Sequence, residues 1–248
     1  MHRFFVAEEN LRGKQVVFTG RQAHQIRNVL RIKSGDHVIV LDNTGCEYTV
    51  VLTKVGRQDV VGEVVSRQQV QAEPRTQITL YQSLLAREKF EWVLQKCTEV
   101  GVVRFVPIVT ERSIVRRQDA ITPRKLSRWR DIITEAAEQS GRGRIPQLEQ
   151  AVNFVDAVSG LGDFDHCFIG TLGVTGSNVR EVLRTFSAEP ITVALFIGPE
   201  GGFTDKEVAV ACSKGATAFS LGKRILRTET AAVVASAVIL YELGELAP

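Results

Sequence analysis

The chain has 248 residues, of which 44% are hydrophobic and 24% are charged, and its net charge is +3 at pH 7. This composition is typical of a globular protein large enough for two domains, and it argues against a disordered chain. The longest strongly apolar stretch, Ala231 to Tyr241, is too short to cross a bilayer, and no long apolar run follows the amino terminus. The sequence therefore predicts a cytoplasmic protein with no membrane partner.

The first 70 residues are dominated by short β-rich runs, separated by turn signals such as Ser34-Gly35-Asp36. The predicted strands are Gln15 to Thr19, His37 to Asp42, Glu47 to Val55 and Val60 to Arg67. One helical run, Gln22 to Ile32, interrupts them and carries Arg27 and Arg31 four residues apart on one face. We predict a small β-barrel domain over residues 1–72, with a polar linker at Gln68 to Thr76.

From Gln77 onward, strands alternate with helices, which favours an α/β domain over residues 73–248. The predicted strands are Ile78 to Ser83, Val103 to Val109, His166 to Leu172, Ile191 to Ile197 and Ala218 to Leu221. The predicted helices are Leu84 to Val100, one from Thr122-Pro123 to Gly141, one opened by a capping box at Thr204 to Glu207, and Thr230 to Leu243. The last helix is apolar nearly all round, which indicates burial within its own domain or against a partner subunit.

The four cysteines are widely spaced, and no two of them form a C-x-x-C pair. Zinc sites and iron–sulfur clusters use closely spaced ligands, so the sequence predicts no metal. We expect buried free thiols at Cys46, Cys97, Cys167 and Cys212.

Two glycine-bearing segments, residues 197–202 and 221–230, each follow an apolar run. Glycine lets a ligand approach the main chain closely, so two such loops at neighbouring strand ends can form a pocket, although glycines also mark simple turns. The strings typical of Rossmann dinucleotide sites and phosphate loops are both absent, which disfavours those two classes of enzyme.

These two segments, together with residues 2–5 and 24–31, closely resemble the bacterial ribosomal RNA small subunit methyltransferase E family over nearly the whole chain. The most specific strings are Gly-Pro-Glu-Gly-Gly at 198–202 and Leu-Gly-Lys-Arg-Ile-Leu-Arg-Thr-Glu-Thr-Ala at 221–231. The resemblance implies an α/β fold, with a PUA-like small β-barrel followed by a SPOUT domain that contains a trefoil knot. It also implies a homodimer that methylates uridine N3 in 16S rRNA. The expected substrate is a folded rRNA or the whole subunit, with the assembled 30S subunit favoured. The methyl donor would be S-adenosylmethionine (SAM), leaving S-adenosyl-L-homocysteine.

The resemblance assigns the cofactor site to three strand ends and the loops that follow them. Its apolar side chains suit an adenine slot, and its glycines suit contacts between the ligand and the main chain. The expected cofactor-binding residues are Leu172, Gly173, Ile197, Gly198, Pro199, Glu200, Gly201, Leu221, Gly222, Ile225 and Leu226.

Methylation of uridine N3 requires the imide to lose its proton, which a general base or a stabilising cation accelerates. Arg227 and Glu229 flank Thr228 where the last helix begins. We hypothesise that Arg227 stabilises the uracil anion and that Glu229 orients the base or accepts its proton. The structural alternative is that Glu229 complements the helix dipole, with Arg227 paired to Glu229 or Glu200.

Positive charge lies in two zones that suit RNA phosphates. The first 72 residues contain ten Lys and Arg against seven Asp and Glu, which accounts for the whole net charge, and residues 112–130 hold seven basic residues and one acid. The expected RNA-binding residues are Arg3, His24, Arg27, Arg31, Arg112, Arg116 and Arg117. Solvated surface charge is the alternative. Because N3 lies on the pairing edge of uracil, the target uridine must be unpaired or flipped.

Two other functions stay open at this point. A SPOUT 2′-O-ribose methyltransferase would share the cofactor pocket but attack with a hydroxyl, and product analysis separates the two reactions. A non-catalytic RNA-binding factor in ribosome assembly would need the basic barrel but not the two glycine segments.

Overall fold

A computed structural model describes residues 1–114, 121–172 and 191–246. The expected sites at Gly173, Arg116 and Arg117 lie outside the described residues. The chain forms two compact units. The first contains Met1–Glu73 and Ala137–Ile145, and the second contains Pro74–Ala136 and Pro146–Pro248. The segment 137–145, assigned from the sequence to the second domain, thus belongs to the first unit.

The first unit is built on one six-stranded sheet. Its strands are β1 (Arg3–Phe5), β2 (Leu11–Arg12), β3 (Gln15–Thr19), β4 (His37–Leu41), β5 (Cys46–Val55) and β6 (Asp59–Gln69), in the spatial order β1-β4-β5-β6-β3-β2. Side chains from five strands, including Phe4, Phe18, Val40, Leu52 and Val60, share one buried core, so the sheet curls around it. The four predicted strands are confirmed to within two residues at each end.

A helix is present in the predicted region, Gln22 to Ile32, but it spans residues 20–29 and is not a regular α-helix throughout. A short helix α1 (Gly20–His24) passes into a π-helical turn, Gln25–Val29, which buries Ile26 in the core of the first unit. Arg31 then adopts a positive φ of 55°. A π-helical turn is rare and often lies at a functional site. Here it replaces the regular helical spacing on which the prediction depended.

The segment 137–145 completes the first unit. Ala137 packs with Phe5, Ile39 and Leu41 in a second small apolar cluster. The buried Arg142 forms a salt bridge with Glu73, with 3.1 Å between Nη2 and Oε2.

The same Glu73 carboxylate also fixes the backbone of this segment. Its Oε1 accepts hydrogen bonds from the backbone N–H groups of Gly143 at 2.8 Å and Arg144 at 3.0 Å. Together the apolar cluster and these polar contacts attach a segment that is more than 60 residues distant in sequence.

The second unit is an α/β domain with an entirely parallel sheet. Its strands are β7 (Gln77–Ser83), β8 (Arg104–Val109), β9 (Gln147–Leu148), β10 (Val152–Asn153), β11 (His166–Gly170), β12 (Thr192–Ile197) and β13 (Thr217–Phe219). Its helices are α2 (Arg87–Val100), α3 (Pro123–Ser140), of which the last four residues belong to the first unit, α4 (Phe154–Ser159), α5 (Asp205–Ser213) and α6 (Thr228–Glu242). The strand order is β10-β8-β7-β12-β11-β13, and β9 also pairs with β8.

The connections reverse direction between two central strands of this sheet. Strand β7 leads through α2 to β8 on one side, whereas β12 leads through α5 to β13 on the other side. A topological switch point of this kind opens a crevice at the carboxyl ends of the strands, where open α/β sheets bind ligands. The glycine segment predicted to bind a ligand directly follows β12.

The local signals for the helices of this domain were correct. Gly101 ends α2 with a φ of 127°, a conformation that favours glycine. The capping box is present at the start of α5, where the side chains of Thr204 and Glu207 bond each other's backbone N–H groups. Within the described residues, no helix is long and apolar enough to cross a membrane.

Three of the four cysteines are buried as predicted, but Cys212 is exposed. Its neighbour Ala211 occupies the inward position of α5, which leaves Cys212 on the outer face. Burial raises the pKa of Cys167 to about 11.

Candidate cofactor and RNA sites

The carboxyl ends of four strands meet in one row. Gln82 of β7 lies beside Ile197 of β12, and Gly170 of β11 lies beside Phe219 of β13. Strands β11 and β12 are themselves paired in parallel, so the loops that leave all four strands begin side by side. The sequence predicted three of these strand ends to converge, and the register of the sheet confirms it.

A buried polar network at this edge joins three elements. The Gln82 side chain is only 1% exposed, and its Nε2 donates to the Thr228 hydroxyl at 3.3 Å. The Thr228 hydroxyl donates in turn to the carbonyl of Gly198 at 2.5 Å. The network ties β7 and the first turn of α6 to the glycine loop.

Neither Gln82 nor Thr228 was identified from the sequence. The available indication was a polar residue, Gln82, directly after the apolar Leu80 and Tyr81 near the end of the predicted strand. A buried amide needs hydrogen-bond partners, so such a position indicates a specific polar environment.

The glycine loop, residues 198–202, is shaped by close backbone contacts. A Cβ at Gly198 would lie 3.1 Å from the backbone nitrogen of Phe203 and 3.2 Å from the carbonyl carbon of Gly202, so the site accepts only glycine without a shift. Gly202 has a φ of 66°, and its N–H donates to the carbonyl of Pro199 at 2.9 Å. These contacts explain the glycines at 198 and 202 structurally.

The carboxylate of Glu200, expected at the cofactor, is engaged by α2. Lys89 Nζ donates to Glu200 Oε1 at 2.9 Å. Burial acts to raise the pKa of Glu200, but the hydrogen bond and the charge of Lys89 outweigh it, and the pKa lies below its ordinary value. The side chain therefore holds the loop, and the loop's contribution to a ligand falls to its backbone.

Three buried polar atoms near this edge have no hydrogen-bond partner within the described parts of the chain. They are Gln82 Oε1, Thr171 Oγ1 and Glu229 Oε2. Leaving such atoms unpaired costs about 1–3 kcal/mol each. Unpaired acceptors of this kind fit a ligand that brings hydrogen-bond donors.

Apolar side chains around the same strand ends stay open to solvent. Leu172 after β11 is 66% exposed and Ile225 is 80% exposed, while Leu221 and Leu226 are half-buried. Gly222 has a φ of 103°, and its carbonyl accepts from the Ser220 hydroxyl at 3.2 Å. Exposed apolar groups beside unpaired polar atoms are typical of a ligand pocket.

Arg227 and Glu229 occupy the start of α6. Arg227 is exposed at the N-cap position, and Glu229 is half-buried in the first helical turn. Among the described residues, Arg227 forms no salt bridge with Glu229 or with Glu200, which pairs with Lys89. The ion-pair alternative for Arg227 is therefore not observed, whereas the position of Glu229 still suits the helix dipole.

The expected RNA-binding residues of the first unit differ in their freedom to contact RNA. His24 and Arg31 are exposed. Arg27 instead donates to the carbonyls of Gly56 and Arg57, so its side chain fixes that loop. Arg3 is half-buried, and its Nε has no hydrogen-bond partner within the described residues.

In the second unit, the exposed Arg112 donates to the carbonyl of Gly201. No cluster of three potential metal ligands occurs in the part of the chain that the structure describes.

Comparisons with known proteins match two domains of the chain. Residues 72–240 match the family described as RNA methyltransferase domain, and residues 18–65 match the RNA methyltransferase PUA domain. The ribosomal RNA small subunit methyltransferase E of Bacillus subtilis is 32% identical, over 90% of this chain and 89% of its own length. The protein of the same name from Synechocystis is 34% identical, over 96% of this chain and 77% of its own length.

A solved structure extends the similarity to the fold. The ribosomal RNA small subunit methyltransferase E of Neisseria gonorrhoeae, bound to S-adenosyl methionine, superposes with a TM-score of 0.86 at 30% identity and covers 97% of both chains. The two domain matches, the extent of the sequence identity and this superposition all lead to the same conclusion: the chain belongs to the ribosomal RNA small subunit methyltransferase E family.

Proposed function

We propose that this protein transfers a methyl group from SAM to N3 of a uridine in 16S rRNA, on the assembled small ribosomal subunit, and leaves S-adenosyl-L-homocysteine. The observation that carries the proposal is the glycine loop at the switch point, with unpaired buried acceptors beside it. The names of the relatives support the choice of RNA. Such a substrate implies a cytoplasmic enzyme.

The residues at the carboxyl edge of the sheet fit SAM. Backbone groups of residues 198–201 and 221–222 would hold the adenosine portion, and the exposed side chains of Leu172 and Ile225 would cover its apolar faces. The ammonium, amino and hydroxyl groups of SAM are donors, which suits the unpaired oxygens of Gln82 and Thr171. When bound, SAM supplies an electrophilic methyl group on a positively charged sulfur.

Glu229 and Arg227 have complementary roles in this proposal. The neutral imide nitrogen of uridine has no free lone pair to attack with, so its proton must leave. Glu229 accepts that proton on Oε2, the carboxylate oxygen that lacks a partner among the described residues. Arg227 then stabilises the negative charge on the uracil ring and its carbonyl oxygens, because its guanidinium is exposed and unpaired in the described part of the chain.

The first unit provides the RNA surface. His24 and Arg31 lie exposed on either side of the π-helical turn, and Arg27 holds the neighbouring loop in place. These side chains contact phosphates and position the small subunit while the target uridine is flipped into the pocket.

We further propose the two assembly features that the family resemblance implies. The chain forms a homodimer through α6, whose apolar character extends nearly all round the helix. Its SPOUT domain contains a trefoil knot. Sedimentation tests the first feature. Mechanical unfolding tests the second, because a tightened knot shortens the extended chain.

The experiment is transfer of labelled methyl from SAM to small subunits from cells lacking the enzyme, with naked 16S rRNA for comparison and nucleoside analysis of the product. N3-methyluridine formed preferentially on subunits is the expected result. A 2′-O-methylated product would replace the proposed reaction with ribose methylation. SAM binding without any incorporation would indicate a non-catalytic factor.

Variants of the two proposed catalytic residues test the mechanism. We expect Glu229→Gln and Arg227→Ala each to lower kcat by about a hundredfold or more, the scale typical of a lost general base or anion-stabilising group, with SAM affinity retained. Lys206→Ala, which removes an exposed cation from α5, is the control. Unchanged kcat in either variant would remove that residue from the mechanism.

A further inference from the structure

The loop after β8, residues 110–114, is fastened to the glycine loop by Arg112. The Nη1 of Arg112 donates to the carbonyl of Gly201 at 2.9 Å and lies 3.4 Å from the carbonyl of Phe203. The aliphatic stem of the same side chain lies across Gly201. A Cβ at Gly201 would be 3.3 Å from Arg112 Cβ and 3.4 Å from its Cδ.

A buried carboxylate makes a second attachment between the same two segments. Glu207 Oε1 accepts from the backbone N–H of Glu111 at 2.9 Å, and its Oε2 accepts from the backbone N–H of Thr204 at 2.8 Å. Glu207 is buried, so these hydrogen bonds are shielded from water. The start of α5, which follows the glycine loop, is therefore fixed to the residue next to Arg112.

The loop is thus held by two side chains from other elements. Lys89 of α2 holds the side chain of Glu200, and Arg112 holds the main-chain carbonyls of Gly201 and Phe203. Gly201 has no side chain of its own, and its carbonyl accepts a charged hydrogen bond from Arg112. Since backbone groups of this loop are the proposed cofactor contacts, its shape before binding determines how much ordering the ligand must cause.

We propose that Arg112 is a positioning residue for the glycine loop. Its guanidinium fixes the Gly201 and Phe203 carbonyls, and its stem packs over Gly201, so that SAM meets a preformed site. This inference rests on the proposed function, in which the glycine loop binds SAM. It gives Arg112 a different role from the phosphate contact expected from the sequence, because its Nη1 donates to backbone carbonyls of the protein.

Calorimetric titration of SAM into the purified protein is the first test. Arg112→Ala should weaken SAM binding about tenfold, the effect of losing one charge-assisted hydrogen bond. Arg112→Lys keeps the stem and one cationic donor and should lose about threefold or less, which also controls for misfolding of the alanine variant. Lys206→Ala is the control for loss of a nearby positive charge and should bind like wild type. Equal binding by wild type and Arg112→Ala overturns the proposal.

A double-mutant cycle with Gly201→Ala tests the contact itself. Gly201 does not have a positive φ, so alanine fits its backbone conformation and only the Arg112 stem stands in the way. The added methyl group should weaken SAM binding in the wild-type background but have little further effect after Arg112→Ala. Independent, multiplicative effects of the two substitutions would overturn the proposed contact.

Salt dependence of binding to naked 16S rRNA separates positioning from phosphate contact. Removal of a phosphate contact makes the slope of log K against log salt shallower by about one. Here we expect Arg112→Ala to have the wild-type slope, and a shallower slope would overturn the proposal.

If wild type itself binds no SAM, the proposed function fails together with this inference. SAM binding that is normal in wild type and in Arg112→Ala overturns the inference alone.

Discussion

Removal of the Thr228 hydroxyl is the most direct test of the polar network that joins β7 and α6 to the glycine loop. Valine has nearly the same shape as threonine but neither donates to the Gly198 carbonyl nor accepts from Gln82. Gln82 keeps a second acceptor, the Ser83 carbonyl at 3.1 Å, so the main loss is the hydrogen bond to the buried Gly198 carbonyl. An unsatisfied buried group of this kind costs about 2 kcal/mol.

For a protein of this size, about 2 kcal/mol corresponds to a Tm lower by about 4–8 °C in Thr228→Val. Because the same hydroxyl fixes the start of α6 to the glycine loop, we also expect SAM affinity to fall about tenfold. Thr228→Ser retains the hydroxyl and loses one buried methyl group, worth about 1 kcal/mol, and should keep SAM affinity within about twofold.

Thermal unfolding and SAM titration of the two variants side by side provide the measurement. The reasoning is refuted if Thr228→Val binds SAM as tightly as Thr228→Ser, because the hydroxyl would then be irrelevant to the shape of the loop. A larger loss of stability in the serine variant than in the valine variant would also contradict it, since packing would then outweigh the hydrogen bond.

Three further outcomes follow from other contacts. Gly198→Ala should weaken SAM binding by about tenfold or more, because the new methyl group meets backbone atoms 3.1 and 3.2 Å away, whereas the open Gly162→Ala should bind normally in the same titration. Arg142→Ala should lower the free energy of unfolding by about 3 kcal/mol, since it leaves Glu73 without its buried cationic partner; denaturant unfolding measures this, and a change under about 0.5 kcal/mol would contradict it. In the native protein at pH 8, a thiol reagent should modify Cys212 and spare the three buried cysteines until denaturant is added, and rapid reaction of a second thiol would contradict the assigned burial.

Local signals were sufficient to predict most of the elements. The β-rich run from Gln15 to Thr19 identified β3 at its observed bounds, and the capping residues Thr204 and Glu207 identified the start of α5. Such signals depend on neighbours in sequence, and the structure preserves them. Helical spacing predicted the helical region at Gln22 to Ile32, but it does not encode the π-helical turn at Gln25–Val29, which buries Ile26 in the core of the first unit.

The site was predictable only where glycine marks it. The glycines at 198 and 222 indicated where the main chain comes close to a ligand, but the partners that shape those loops come from distant positions. Gln82 and Arg112 are 116 and 89 residues from the atoms they help to hold, and no local period connects them. Long-range hydrogen bonds of this kind depend on the register of the sheet, which sequence patterns alone leave undetermined.

The attachment of residues 137–145 to the first unit bears on how the chain folds during synthesis. A ribosome releases the amino terminus first, so strands β1 to β6 emerge well before Ala137 and Arg142. Until then, the apolar surface of Ile39 and Leu41 and the carboxylate of Glu73 lack their native partners. The first unit therefore cannot complete its core until more than half of the polypeptide has been made. A truncation after residue 72 removes part of that core.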